Sequence, residues 1–304
     1  DLPWKWSLAE GFQELPLLSG STHGSATCVT DAGLIAGRSG LTSAVLWNDT
    51  GVNEFLSWKT QTREPVAINE SGTIVLHNFF GSEPQSFVWI DGEVIPLPGI
   101  YAPTGSLSNR RAYDINESGV IVGEARSEPP DGVPHATRWI NQESEDLHPR
   151  NTAVSSARSV NDHGRIVGYL KFGVGNEDAF IWDKGEVGIL NELIDPTLGW
   201  ELFFATAINN AGDIVGWGHL KGEATGFLLI PVPPCPADCA PFYTDGTWGN
   251  DVVNIDDLLA VVNSFGESDS PCDVTPANPD GTFGNNEVNI DDLLSVINAF
   301  GPCP

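Results

Sequence analysis

Apolar and polar residues alternate over short stretches along most of the chain, and Gly, Pro, Asn or Asp residues separate these stretches. This pattern predicts short β-strands joined by tight turns. Helical periodicity is confined to the C-terminal segment 235–304, where apolar residues recur at three- and four-residue spacing. The pattern therefore predicts a mainly β protein with a small helical part at its C-terminal end.

One sequence unit recurs through the β-rich part. It consists of an apolar residue followed by Asn, a short turn that ends in Gly, and Ile-Val-Gly or a close variant. The copies cover residues 29–37, 68–75, 115–123, 160–168 and 208–216. Their spacing of about 40–50 residues is typical of β-propeller repeats.

Each unit predicts four strands. The first two are joined by the Asn-x-x-Gly hairpin, in which Gly supplies the positive φ. The third carries a tryptophan, and a short turn such as Asp91–Gly92 leads to the fourth. The third-strand tryptophans hold equal positions in the repeat, and we therefore expect them in the core between blades. They are Trp47, Trp89, Trp139 and Trp182.

The last copy has no fourth strand, because a proline-rich segment follows residue 230. Residues 11–15 match the missing piece, and a shared blade would remove open sheet edges. We therefore predict that residues 1–232 form a five-bladed β-propeller of four-stranded blades, closed by the N-terminal strand. Residues 3–6 have no place in this scheme. They are an edge extension, part of a sixth partial blade, or a strand offered to a neighbouring molecule.

On these motifs, residues 4–232 resemble the HAF-repeat proteins, predicted extracellular repeat proteins of bacteria. The resemblance rests on Ala-x-x-Ile-Asn-x-x-Gly-x-Ile-Val-Gly, a later Phe-x-Trp, and Gly-Phe-Gln-Glu-Leu, repeated in order. It implies a secreted bacterial β-propeller and transfers no activity to any residue. Thr30 departs from the Asn of the family.

A second, shorter repeat closes the chain, because residues 245–259 match residues 280–294. Each copy predicts a polar loop that leads into one amphipathic helix and ends near Gly266 or Gly301. We expect the two helices to bury their apolar faces against each other. In the first copy that face comprises Ile255, Leu258, Leu259, Val262 and Phe265.

The polar loops carry the ligand types that calcium takes, namely carboxylate, amide and carbonyl oxygens. We predict two calcium ions. The predicted ligands are Asn250, the Val252 carbonyl, Asn254 and Asp257 in the first loop, and Asn285, the Glu287 carbonyl, Asn289 and Asp292 in the second. The first ligand of each loop stays open, between Asp238 and Asp245 and between Asp273 and Asp280. The turn place that usually holds Gly is taken by Asp251 and Asn286. The alternative is that these residues only cap helices and make turns.

Residues 235–304 look like a duplicated dockerin module of the cysteine-flanked kind found in planctomycete-like secreted proteins. The resemblance includes the Cys-Pro-Ala-Asp start at Cys235 and the Gly-Pro-Cys-Pro end at Gly301. It implies a helical calcium-binding domain, residues 233–304, that binds a cohesin-like protein partner. Ile255–Asp256 and Ile290–Asp291 stand where cellulosomal dockerins often carry hydroxylic recognition residues. Self-association of this module is therefore an alternative to binding a cohesin-like partner.

Composition narrows the location and the partners. The formal net charge of −27 argues against a nucleic-acid partner, and no apolar run is long enough to span a bilayer. Methionine is absent, and we expect a removed leader. Four cysteines bracket the acidic module and are disulfide candidates for an oxidising compartment, with reduced buried thiols as the alternative. They are Cys235, Cys239, Cys272 and Cys303. We predict an extracellular or cell-surface protein secreted by a bacterium.

Catalytic motifs are missing from the sequence. The histidines show no zinc-site spacing, and neither a Gly-x-Ser-x-Gly elbow nor a P-loop occurs. Glu70, Glu117 and Asp162 recur at the hairpin turns, which predicts a structural role for them. Trp200 and Trp217 break the repeat, and we predict that they face a ligand. A glycan is a candidate for that ligand.

The sequence thus predicts a secreted non-catalytic binding or structural protein that is anchored or assembled through a calcium-dependent, dockerin-like module. One alternative is a subunit of a self-assembling extracellular filament or surface layer. The other is a carbohydrate-active propeller enzyme delivered by its dockerin.

Overall fold

A computed structural model describes most of the chain and divides it into two compact units. The described residues are 1–48, 51–57, 63–78, 85–100, 110–127, 132–149, 152–173, 175, 177–231, 236–240, 249, 252–268, 270–275 and 283–302. Unit 1 comprises Asp1–Asn209 and Ile214–Leu228. Unit 2 comprises Asn210–Asp213 and Leu229–Pro304.

Unit 1 is built of antiparallel strands that pair in chain order. The strands are β1 (Trp4–Ser7), β2 (Gly11–Glu14), β3 (Gly24–Val29), β4 (Ile35–Ser39), β5 (Ser43–Asn48), β6 (Gly51–Ser57), β7 (Arg63–Ile68), β8 (Ile74–Asn78), β9 (Gln85–Ile90), β10 (Glu93–Pro96), β11 (Arg110–Ile115), β12 (Ile121–Arg126), β13 (Pro134–Ile140), β14 (Glu143–Asp146), β15 (Val154–Val160), β16 (Ile166–Lys171), β17 (Glu177–Asp183), β18 (Glu186–Ile189), β19 (Trp200–Ile208), β20 (Ile214–Leu220) and β21 (Glu223–Leu229). Two short 3₁₀ helices, Leu190–Glu192 and Pro196–Leu198, precede β19.

The strands form propeller-like sheets. Four sheets have four strands each, β3–β6, β7–β10, β11–β14 and β15–β18, and we call them blades 1 to 4. Strands β19–β21 form a three-stranded sheet, which we call blade 5. The fold is therefore mainly β and made of repeated antiparallel sheets, as predicted. The total of five blades stays a prediction.

The predicted closure of the last blade by the N-terminal strand is not present. Strand β2 pairs with β1, from Trp4 opposite Glu14 to Ser7 opposite Gly11, and blade 5 has three strands among the described residues. The Leu15 N–H donates to the Pro3 carbonyl at 2.8 Å. Equivalent bonds join the third and fourth strands in blades 2 and 3. Residues 3–15 thus form a local outer hairpin, which a short turn closes at a lower entropy cost than pairing with the distant blade 5.

The core lies between neighbouring blades, where apolar residues from facing sheets form continuous clusters. Trp47, Trp139 and Trp182 are buried, as predicted, and Trp89 is half-buried. The Trp139 indole N–H donates to the Pro98 carbonyl at 2.8 Å, in the segment that follows blade 2. The Trp47 indole makes the same kind of bond to the preceding hairpin segment. Each of these two tryptophans therefore fills the core and ties its blade to the preceding segment.

The repeated Asn of the hairpin turn joins blades 2, 3 and 4 each to the following blade. The Asn116 side-chain oxygen accepts the Val120 N–H at 2.9 Å and closes its own turn. Its amide nitrogen donates to the Asn161 carbonyl of the following blade at 2.9 Å. Asn69 and Asn161 make equivalent bonds to their next blades. Thr30 keeps the turn bond through its hydroxyl but has no amide N–H with which to reach blade 2.

The turn carboxylates form a second, exposed series of bonds between blades. Glu70 accepts the Ala32 N–H, Glu117 accepts the Glu70 N–H at 3.0 Å, and Asp162 accepts the Glu117 N–H at 2.9 Å. The structural role predicted for these three carboxylates is confirmed.

Unit 2 contains two helices, α1 (Ile255–Asn263) and α2 (Ile290–Asn298). Its short strands β22 (Val252–Val253) and β23 (Gly301–Pro302) pair antiparallel. Cys239 and Cys272 form a disulfide with a Cα–Cα distance of 5.2 Å, in a core that includes Val261 and Val296. The other two disulfide candidates, Cys235 and Cys303, lie outside the described residues.

The two helices do not bury the predicted face against each other. Of the predicted face, only Leu258 packs against the core, whereas the side chains of Ile255, Leu259, Val262 and Phe265 are each 50–55% exposed. Val261, outside that face, is fully buried. The reason is the Asp257 carboxylate, which accepts the Ala240 N–H at 2.8 Å and turns its own side of α1 towards the core. The equivalent residues of the second copy are exposed to a similar extent: Ile290, Leu294 and Ile297 of α2, and Phe300, which follows two residues after its end.

We predict that the buried Asn series contributes more to stability than the exposed carboxylate series. Asn116→Thr keeps the turn bond but loses the bond to blade 4, and should lower the free energy of unfolding by about 1–3 kcal/mol. Glu117→Gln retains an acceptor at an exposed site and should cost less than about 0.5 kcal/mol. Urea unfolding of unit 1, followed by tryptophan fluorescence, measures both variants. Equal losses for the two variants would contradict the prediction.

Candidate functional site

The second polar loop folds around the Asp273 carboxylate. This carboxylate accepts the backbone N–H groups of Asn285 at 3.0 Å and Asn286 at 2.6 Å. The Asn285 side-chain oxygen in turn accepts the Glu287 N–H at 3.1 Å. Asn286 has a φ of 67°, the left-handed conformation that its turn place requires.

The loop leads directly into the capped start of α2. Asn289 is the N-cap residue and accepts the Asp291 N–H, while one Asp292 oxygen accepts the Asn289 N–H at 2.8 Å. The other Asp292 oxygen accepts the N–H groups of Val274 and Thr275, both at 2.8 Å. Asp292 is fully buried, so its charge is held by backbone donors in a dry site.

The first copy repeats this arrangement. Asn254 caps α1, and the fully buried Asp257 accepts the Asn254 N–H at 2.8 Å. The Val252 carbonyl accepts the Asn254 side-chain amide at 3.0 Å, as the Glu287 carbonyl accepts that of Asn289. Asp238 is buried. Asp245, Asn250, Asp251 and Asp280 lie outside the described residues.

Two glycines show how closely each loop approaches its carboxylate. A Cβ placed on Gly284 would lie 2.5 Å from an Asp273 oxygen, and one on Gly249 would lie 2.9 Å from an Asp238 oxygen. Glycine is therefore required at both places. Because Gly249 approaches Asp238 as Gly284 approaches Asp273, these two residues are favoured over Asp245 and Asp280 as the first acidic residue of each loop.

The donor chemistry of these loops fits a hard cation such as calcium. Their oxygens come from carboxylates, amides and carbonyls, and residues 235–304 hold twelve acidic residues and no Lys or Arg. Capping satisfies the hydrogen bonds of Asp257 and Asp292 but leaves their charges without a cationic side chain from their own segment. In the part of the chain that is described, no three His, Cys, Asp or Glu side chains form a metal-holding group. The prediction of calcium binding therefore rests on the mixture of carboxylate, amide and carbonyl oxygens, and it stays a prediction.

Unit 1 contains a second candidate site, at a position where the five repeats carry different residues. In each blade, one residue of the first strand pairs with one residue of the second strand, and the residue types of this pair change from blade to blade. The adjacent pair is Ala and Gly in four of the five blades. We call these ten residues the variable rung. They are Ser25 and Arg38, Glu64 and His77, Arg111 and Glu124, Ser156 and Tyr169, and Phe204 and Trp217.

The rung is polar in blades 1 to 3. The Ser25 hydroxyl donates to Glu64 at 3.2 Å, and the Arg38 guanidinium lies 3.6 Å from the same carboxylate. In blade 3, Arg111 lies 3.8 Å from Glu124. These contacts join unlike charges of neighbouring strands and blades.

The rung carries Tyr169 in blade 4 and Phe204 and Trp217 in blade 5. Two β-bulge residues connect this aromatic part of the rung with its polar part. Tyr113, at the bulge of β11, meets the His77 ring at 6.0 Å. The guanidinium of Arg158, at the bulge of β15, lies 4.1 Å from the Tyr113 ring and 5.2 Å from that of Tyr169. Tyr169 then contacts Phe204. The variable rung and these bulge residues form a row of contacts across five blades.

Burial keeps two titratable groups of this row neutral at pH 7. Burial, with a smaller contribution from the nearby Arg111, lowers the pKa of His77 to about 4. Burial also raises the pKa of Tyr113 to about 12, with a smaller contribution from Glu124. The charges of the row are therefore those of its arginines and glutamates.

The two tryptophans predicted to face a ligand lie in different settings. Trp217 belongs to the variable rung and is 44% exposed. Trp200 starts β19, is half-buried and packs edge-on against Phe227 at 6.4 Å. Sequence reasoning missed Tyr113, Arg158 and most of the rung. The available signal was the residue after Ile-Val-Gly, which is different in every copy.

Comparison with known proteins shows likeness at the level of the fold. No protein-family model matches the chain, and no curated protein sequence is detectably similar to it. The structure is similar to TolB from Acinetobacter baumannii, with a TM-score of 0.47 and 16% identity, over 73% of this chain and 54% of TolB. It is similar to virginiamycin B lyase from Staphylococcus aureus, with a TM-score of 0.40 and 14% identity, over 73% of this chain and 75% of the lyase. It is also similar to a gluconolactonase from Xanthomonas campestris, with a TM-score of 0.38 and 14% identity, over 68% of this chain and 76% of the gluconolactonase.

The prediction that the protein is not an enzyme is contradicted. Two of these similar structures, a lyase and a gluconolactonase, are enzymes by name. The absence of contiguous motifs was a poor ground for excluding catalysis. Side chains that meet on a repeated sheet fold come from different blades and leave no local motif, and a fold does not set a function.

The disulfide bears on location. Disulfides persist in the cell envelope and outside the cell, and Cys239–Cys272 is a sign of such a compartment. None of the helices in the described ranges is both long and apolar enough to cross a membrane.

We predict that His77 makes unit 1 less stable in mild acid. Its pKa is lowered in the folded state, so below pH 6.5 only the unfolded state takes up the proton. Stability is therefore lost as the pH falls from about 6.5 towards 4, with a loss of up to about 2 kcal/mol at pH 5. His77→Gln should flatten this dependence in urea unfolding at pH 7.5 and 5. His163→Gln, at an exposed turn, is the control, and identical slopes for both variants would refute the prediction.

Proposed function

We propose that unit 2 is a calcium-binding anchoring module of the dockerin kind, and that it attaches a ligand-binding propeller of the HAF-repeat kind to a protein partner. The protein would act at a bacterial cell surface or in the extracellular medium. The observation that carries this proposal is the pair of equal apolar stripes that α1 and α2 expose. We call them the helix stripes.

The helix stripes have the form of a binding surface. Ile255, Leu259 and Val262 follow the spacing i, i+4 and i+7 and so lie on one side of α1, and Phe265 follows two residues after the end of the helix. The exposed residues of α2 follow the same spacing from Ile290. Isolated exposed apolar residues are ordinary, but two matched stripes are typical of a surface that a partner covers. Their burial would contribute about 25 cal/mol per Å² of apolar area removed from water.

Charge favours a different protein over a second copy of this chain as the partner. Twelve acidic residues without any Lys or Arg give residues 235–304 one sign of charge. Two such segments brought together would repel each other, whereas a partner with basic residues around an apolar patch would be attracted. A cohesin-like domain with such a rim is therefore our proposed partner, in preference to self-assembly into a filament or surface layer.

Calcium would couple the loops to the helices. Asp273, Asn285, the Glu287 carbonyl, Asn289 and Asp292 would hold one ion, and Asp238, Val252, Asn254 and Asp257, with Asn250, the other. Bound calcium would supply the positive charge that these oxygens lack. Asp257 and Asp292 already belong to the first helical turns, so loop and helix share one carboxylate in each copy. Loss of the ion should therefore loosen the helix that presents each stripe.

We predict that the protein binds two calcium ions and that Asp273→Asn loses one of them. The substitution removes a charge around which the second loop folds. Asp291→Asn removes the same charge from an exposed position in the same segment and should retain both ions. Titration calorimetry measures the stoichiometry, and thermal unfolding with chelator should show unit 2 melting while unit 1 stays folded. Unfolding that is indifferent to chelator would contradict the calcium proposal.

We predict that either helix stripe suffices for the partner. In calcium, at least one cohesin of a recombinant panel should bind the full chain. Leu259→Lys with Val262→Lys, or Leu294→Lys with Ile297→Lys, should weaken binding about twofold, the loss of one of two equal sites. All four changes together should abolish binding.

Calcium stoichiometry controls for the folding of these variants. Failure of every cohesin to bind would contradict the proposed partner. Calcium-dependent oligomers in analytical ultracentrifugation that disappear in the fourfold variant would contradict it in favour of self-assembly.

A further inference from the structure

We propose that the variable rung of unit 1 binds an acidic sugar, with Arg158 taking the carboxylate and Trp217 contacting the sugar ring. This inference deepens the proposed function only in so far as unit 1 is the ligand-binding part. It does not depend on the anchoring partner.

Arg158 is the residue that points to an anion. Its guanidinium is held between the rings of Tyr113 and Tyr169, at 4.1 Å and 5.2 Å, and is half-buried. Within the described residues it has neither a carboxylate partner nor a hydrogen-bond acceptor. Three other described arginines of comparable exposure, Arg38, Arg138 and Arg165, pair with carboxylates. A guanidinium with all its N–H groups available matches a planar anion with two oxygens, such as a carboxylate.

The surroundings of Arg158 select a single negative charge. The charge of Arg111 is matched by Glu124 at 3.8 Å, and that of Arg38 by Glu64 at 3.6 Å. His77 and Tyr113 are neutral at pH 7. The row therefore offers one unpaired positive charge with two carboxylates nearby. A polyanion would be repelled by those carboxylates and by the net charge of −27.

The same carboxylates suit a ligand with hydroxyl groups. Glu64 and Glu124 are acceptors, and sugar hydroxyls need acceptors as well as donors. Ser25 adds a hydroxyl beside Glu64.

The aromatic end of the row supplies a flat surface for the ring of the ligand. The Trp217 indole stacks on Phe204 with centroids 4.7 Å apart and planes 11° apart, yet 44% of Trp217 is exposed. Phe204 in turn contacts Tyr169 at 4.6 Å, and Tyr169 contacts Arg158. The aromatic surface is thus continuous with the arginine. A sugar has an apolar C–H side that packs on an aromatic ring, and an acidic sugar adds the carboxylate for Arg158.

Titration calorimetry on the calcium-loaded full chain tests the proposal. The probes are short neutral oligosaccharides that end in a single glucuronate, galacturonate or mannuronate residue, each with its carboxyl-reduced form, in which a CH₂OH group replaces the one carboxylate. At least one acidic oligomer should bind, and its reduced form should bind at least about tenfold more weakly, since a charge-assisted pair is lost. Arg158→Gln should weaken the acidic oligomer to the level of the reduced one. Trp217→Ala should weaken both.

Arg138→Gln is the matched control. Arg138 also lies over an aromatic ring, that of Trp182 at 4.3 Å, but it is paired with Glu145 at 2.7 Å. Its loss should leave sugar binding unchanged. Arg158→Lys keeps the charge without the planar pair of donors and should bind with intermediate affinity, which keeps the test available if the Gln variant does not fold.

Three results would overturn the inference. They are no binding of any acidic oligomer at millimolar concentration, equal binding of Arg158→Gln and the unaltered chain, and equal weakening by Arg138→Gln. Cohesin binding by the same preparation separates this failure from failure of the anchoring proposal. The fourfold stripe variant should still bind the sugar.

Discussion

The bond from each turn Asn to the backbone of the next blade is the constraint on which unit 1 depends. A single amide side chain closes its own hairpin through the oxygen and holds the next blade through the nitrogen, as Asn116 does. The bond to the next blade is buried and the turn bond is partly buried, so the bond between blades in particular cannot be exchanged for water at low cost. This repeated pair of bonds helps to align the inner strands of blades 2 to 5, whereas Thr30 in blade 1 makes only the turn bond.

That alignment separates structural from variable positions by one residue along the strand. The pair formed by Ala112 and Gly123 lies where the two backbones come close, because a Cβ on Gly123 would strike the Arg111 backbone. The next pair, Arg111 and Glu124, has no such restriction. The same holds in blades 4 and 5. The scaffold therefore repeats, while the variable rung changes from charged to aromatic around unit 1.

Unit 2 uses carboxylates where most small domains use apolar groups. Asp257 and Asp292 are fully buried and serve as helix caps and as ties to the preceding segments. Because each carboxylate fixes the rotation of its helix, Val261 and Val296 face the core and the apolar stripes stay outside. The two carboxylates that we propose as calcium ligands thus also leave exposed the surface that we propose binds the partner.

The sequence by itself determined the local structure: the repeat, the strands, the hairpin turns, the buried tryptophans and the two capped helices. These follow from short-range periodicity and from single residues such as Asn116 and Asn289, whose bonds lie within a few positions. Only the tertiary structure decided the pairing of Cys239 with Cys272, the hairpin of residues 3–15 and the side of α1 that is buried. It also brought Arg158 between Tyr113 and Tyr169. A period of two or 3.6 residues shows which side chains share a face, but packing between distant segments decides which face is covered.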